Sequence, residues 1–112
     1  MEDKTMIKLT NEERLINFTF RNGGSFSERE GVFQLNFTSG RNYISSLENK
    51  LDIKLHREWE KTADGNNKYY RYSIPDRLTA ERLIKFANMK AQLRGEVAFN
   101  ELATQNILQR FN

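Results

Sequence analysis

Apolar positions along the chain change period, and the changes divide it. Thr10 followed by Glu13 is a capping box, which predicts a helix over about Asn11 to Arg21. Leu15, Phe18 and Thr19 share one flank of it, and Ile16 and Phe20 widen the apolar surface. Asn22-Gly23-Gly24 stops it. Ser27 and Glu30 form a second box opening a short helix, with Val32, Phe33, Leu35 and Phe37 as apolar contacts. Thr38 or Ser39 caps a third helix reaching about Leu51, whose Ile44, Leu47 and Leu51 stripe faces a core. The period then drops to two. Ile53, Leu55 and Trp59 alternate with polar residues, Asp64-Gly65 signals a hairpin turn, and Tyr70, Tyr72 and Ile74 return along a second strand. Pro75 ends it. Ahead of all this, Met6 to Leu9 reads as a short extended piece.

The last third reads as helical. Thr79 can cap a helix to about Arg94 with two apolar stripes. One holds Ala80, Leu83, Ile84, Ala87 and Ala91; the other holds Phe86, Met89 and Leu93. Glu96 to Asn112 follows as a closing helix with Phe99, Ala103, Ile107 and Phe111 at spacing four. The expected fold is mainly α with a small β-hairpin: a winged helix-turn-helix over residues 1–75, then a helical extension over 76–112. The second stripe and the closing helix together (Phe86, Met89, Leu93, Phe99, Ala103, Ile107 and Phe111) form the expected dimer or partner surface.

Composition narrows the function. The chain has no Cys and one His among 112 residues, so disulfides, thiolate metal sites and a Cys nucleophile are excluded. His56 sits among polar strand neighbours, and no phosphate-cradling Gly-rich loop is present. No catalytic residue, metal or cofactor is therefore expected. Asn17-Phe18-Thr19 and Asn36-Phe37-Thr38 match the glycosylation acceptor pattern, but without an export signal they read as accidental. The absence of such a signal and of a long apolar run predicts a cytoplasmic protein with no membrane partner, in the host bacterium if the chain is phage-encoded. Net charge is only +3, from 18 bases and 15 acids, which permits a nucleic-acid partner without demanding one.

Residues 15–74 resemble a family of small helix-turn-helix domains common in bacteriophages and other mobile elements. The matching residues are Gly23-Gly24-Ser25, Ile44 and Leu47 of the third helix, Glu58-Trp59-Glu60-Lys61, and Tyr70-Arg71-Tyr72-Ser73-Ile74. The resemblance implies a winged-helix fold and a DNA-binding regulator. The residues themselves add a reading surface. Opposite the apolar stripe of the third helix lie Arg41, Asn42, Ser45, Ser46 and Asn49, types that hydrogen-bond to bases and phosphates. The wing adds Lys61, Lys68 and Arg71 for phosphates, diluted by Glu58, Glu60 and Asp64. Trp59 and the tyrosines read as hairpin packing. The expected partners are double-stranded DNA and a second copy of the chain. The alternative is a small phage protein that inhibits a host protein, such as a defence nuclease, through a protein-binding surface.

Overall fold

A computed structural model describes residues 9–111. Its elements are α1 (Asn11–Arg21), β1 (Ser25–Ser27), α2 (Glu28–Leu35), α3 (Gly40–Leu51), β2 (His56–Lys61), β3 (Lys68–Ser73), α4 (Arg77–Leu93) and α5 (Glu101–Leu108). Most of the extended piece expected at Met6 to Leu9 lies outside the described residues.

Both capping boxes form as the spacing predicts. Thr10 and Glu13 bond reciprocally ahead of α1, and Ser27 and Glu30 do the same ahead of α2. Between them Gly23 and Gly24 hold φ of 72° and 90°, which L side chains rarely adopt, and so reverse the chain out of α1. The reversal feeds a strand that the sequence pattern did not reveal. β1 pairs antiparallel with β3, placing Phe26 opposite Tyr72, so the sheet has three strands in the order β1-β3-β2. Three residues are too few for alternation to register.

Phe26 is fully buried and organises the middle of the fold. A Cβ on Gly31 of α2 would lie 2.7 Å from its ring, and one on Gly40 of α3 would lie 2.9 Å away. Both helices thus approach the ring through a missing side chain. Around it close Ile16, Phe37, Ile44, Leu47, Leu55, Tyr72 and Leu83, all buried. The same cluster continues through Ala80, Ile84, Phe86, Ala87, Ile107 and Leu108, so residues on both sides of Pro75 share one core.

Several local expectations need correction. Asp76, not Thr79, caps α4, accepting from the Thr79 backbone N–H at 2.9 Å. Ser39 precedes α3 but makes no side-chain cap bond. The first wing strand starts at His56 rather than Ile53, because the Leu55 N–H is taken by the Glu48 carboxylate at 2.9 Å instead of a strand partner. α5 covers only the middle of the expected closing helix, since Asn100 caps it and Phe99 lies ahead of it. Val32 and Phe33 are exposed, not core, with the Arg29 guanidinium over the Phe33 ring.

The extension closes onto its own chain. Phe86 is 7 % exposed, under the ammonium groups of Lys50 and Lys90. Phe99 meets Phe20 edge-on at 5.5 Å, Ile107 is buried, and Phe111 packs on Gly24. Ala103 is half-buried. Of the expected partner surface, only Met89 and Leu93 stand open, 50 % and 78 % exposed.

Candidate nucleic-acid interface

The hairpin register decides which wing residues share a face. Arg57 pairs with Tyr72, Trp59 with Tyr70 and Lys61 with Lys68. Directly paired residues project to the same side, so these six side chains line one face. The alternate pairs, His56 with Ser73, Glu58 with Arg71 and Glu60 with Tyr69, line the other. Both wing-strand carboxylates therefore leave the face that carries Lys61 and Lys68. The dilution expected from Glu58 and Glu60 is removed by strand parity.

Arg71 goes with them. Its guanidinium bonds Glu60, Glu30 at 3.3 Å and the Ser25 hydroxyl at 2.9 Å. The bond from Glu60 above all, and then Glu30, hold its pKa above the ordinary arginine value, with burial opposing. It is a structural cation on the far side of the sheet, and its expected phosphate role does not fit the geometry.

The basic face is backed by stacked rings. Phe26 lies over Tyr72 at 6.5 Å, Tyr70 follows at 5.8 Å from Tyr72, and Trp59 stacks on Tyr70 at 3.9 Å with 18° between planes. This ladder runs from the core out along the wing. Each outer ring has a cation nearby: Arg57 on Tyr72 at 5.0 Å, Arg41 on Tyr70 at 5.7 Å and Lys68 on Trp59 at 5.8 Å. The hairpin packing expected of Trp59 and the tyrosines is present, yet Trp59 remains 56 % exposed.

Arg41 joins the wing to α3. Its Nε donates to Glu28 at 2.8 Å while its side chain stays 58 % exposed. The other oxygen of Glu28 accepts the Tyr70 N–H at 3.1 Å, so one carboxylate fixes helix to strand. At the other end Glu48 takes Arg57 through two bonds, of 2.7 and 2.8 Å. Burial raises the Glu48 pKa, but the bonds from Arg57 and Leu55 outweigh it and hold the group below the usual carboxylate range.

Along α3, Arg41, Asn42, Ser45 and Asn49 are exposed as expected. Ser46 is not free: its hydroxyl donates to Glu12 of α1, which also receives Lys50 at 2.8 Å. The sequence placed Ser46 by helical angle alone, and the neighbouring α1 claims that flank. The candidate interface comprises Arg41, Asn42, Ser45 and Asn49 on α3 with Trp59, Lys61, Lys68 and Tyr70 on the wing. Among the described residues no cluster of His, Asp or Glu has metal-binding geometry, and no helix is long and apolar enough to cross a membrane.

Three helices, a three-stranded sheet ending in a hairpin wing, and two closing helices define a mainly helical α+β protein of winged-helix arrangement. The chain matches the family model described as Uncharacterised protein PM1773 over residues 5–112, and it belongs to that family. No curated protein matches it.

Proposed function

We propose that the protein binds duplex DNA through α3 and the basic face of the wing, as a regulator of phage or mobile-element type. The observation that carries this reading is the sorting of charge by strand parity. A chain with only +3 overall assembles Arg41, Lys61 and Lys68 on one side, with polar α3 residues following Arg41 and the wing-strand carboxylates Glu58 and Glu60 turned away. Arg41, Asn42, Ser45 and Asn49 are long and short hydrogen-bonding types suited to base edges and phosphates.

The test is fluorescence anisotropy with a random-sequence duplex at two salt concentrations. Three phosphate contacts give a log–log salt slope of about −3, or roughly 40-fold weaker binding between about 50 and 200 mM salt. Arg41→Ala weakens binding by about 1–3 kcal/mol if Arg41 reads a base edge. Unchanged binding by Arg41→Ala and Asn42→Ala removes α3 as the reader. Inhibition of a host protein is the second reading, favoured by exposed Val32 and Phe33 on α2, 48 % and 72 % accessible. It takes the lead if no duplex binds at low salt.

A further inference from the structure

We infer that the wing carries a stacking site for an unpaired nucleobase, with Trp59 as its platform. The inference rests on the DNA-binding reading and specifies the nucleic acid: a duplex with an unpaired base, as at an overhang or fork. Trp59 is the one Trp of the chain. One side of its ring lies on Tyr70, yet 56 % of the residue is exposed. The ladder through Tyr70 to Tyr72, itself 1 % exposed, ties the platform to the core and limits the entropy a ligand must quench.

The surroundings select the ligand. The Lys68 ammonium lies over the indole at 5.8 Å from its centroid, where it would move aside to the phosphate of an incoming nucleotide. Lys61 is its pair partner on the same face, and Arg41, paired with Glu28, lies over Tyr70. Glu58 and Glu60, the sequence neighbours of Trp59, project to the opposite face. At the tip, Asp64 accepts from the Asn66 N–H at 2.9 Å and from the Thr62 hydroxyl, so its carboxylate serves the turn. A cationic ligand is repelled here. A flat, electron-rich ring on an anionic backbone satisfies both features, which is the chemistry of single-stranded nucleic acid. Bases inside a duplex have no free face to offer, so only an unpaired one can stack.

The experiment uses the full chain, a blunt random-sequence duplex, and the same duplex carrying an oligo-dT overhang. Affinity is read by anisotropy and stacking by the emission of the single indole. The overhang is expected to bind about tenfold more tightly than the blunt duplex and to quench Trp59 emission. Trp59→Ala should bring overhang affinity down to that of the blunt duplex measured with the same variant, while Trp59→Phe retains part of the preference. Equal affinities with no quenching overturn the stacking site and leave the duplex reading standing. Quenching and tight binding by the overhang alone keep the site and overturn the duplex reading. Binding of neither probe overturns both. Should Trp59→Ala fail to fold, emission quenching in the unaltered chain still decides.

Discussion

At the scale of single residues, two absent side chains and one carboxylate hold more of the fold than their size suggests. Phe26 is fully buried, so its ring cannot yield to a new methyl group on Gly31, 2.7 Å away. Gly31→Ala gains helix propensity of about 1 kcal/mol, but the overlap costs about 1–3 kcal/mol. The expected balance is destabilising, read as a lower urea midpoint with an unchanged slope. Glu13 is the carboxylate. It completes the first capping box and also receives Arg94 Nη1 at 2.6 Å from the end of α4, 81 residues away. Burial pushes its pKa up, but the bonds from Thr10 and Arg94 win and hold it below the ordinary 4.5. The folded chain therefore takes up this proton only at lower pH than the unfolded chain does. The pair's contribution is fully present above about pH 4.5 and fades as pH falls through the folded value. Glu12 and Glu48 are displaced the same way, with burial opposing and Lys50 and Arg57 prevailing. Thermal melts across pH 6 to 3 should show the loss, and Glu13→Gln should start less stable and lose less on acidification.

At the scale of elements, strand parity does most of the sorting of charge on the wing. The hairpin could be foreseen from alternation and Asp64-Gly65, and both helix starts from their capping boxes, because these signals lie within a few residues of chain. Which wing residues face α3 depends on register across the turn, and the outline of the hairpin alone did not pair Lys61 with Lys68 or Glu58 with Arg71. Ser46 and Arg71 fall outside the candidate interface for one reason. Each is polar and on a plausible flank, and each is claimed by a carboxylate distant in sequence: Glu12 is 34 residues from Ser46, and Glu30 is 41 from Arg71. β1 left no periodic trace at all. The parity argument makes a paired prediction. Lys61→Ala and Lys68→Ala should each lower the magnitude of the salt slope by about 1. Arg71→Ala should leave DNA affinity and slope unchanged and lower the melting temperature, since Glu30 and Glu60 lose their shared partner. Equal loss of binding in all three variants would mean that both wing faces meet the DNA.

At the scale of the whole molecule, the proposed interface of a single copy presents few cations, and tight DNA binding at physiological salt would call for two copies acting together. An exchange of closing helices is not needed to bury the extension, because Phe86, Phe99, Ile107 and Phe111 are already covered within the chain. What remains apolar and open near that end is Met89 and Leu93 on α4, Val97 in the following loop and Leu102 on α5, the last three at least two-thirds exposed. A two-fold contact through these residues would bring two wing–helix interfaces to one duplex, with half-sites about 34–36 Å apart or a multiple of that. The expected mass by light scattering at tens of micromolar is twice 13.2 kDa. The expected salt slope with a two-site duplex is about −5 to −6, double that of one copy. Leu93→Glu combined with Met89→Glu should return both readings to the single-copy values without lowering the melting temperature, since neither residue is buried. Phe86→Glu is the contrasting control: at 7 % exposure it should unfold the chain, because a carboxylate there would be buried in the core that α4 shares with α1 and α3. A single-chain mass at the highest attainable concentration, with a slope near −3 on every duplex, would assign Met89 and Leu93 no role in self-association.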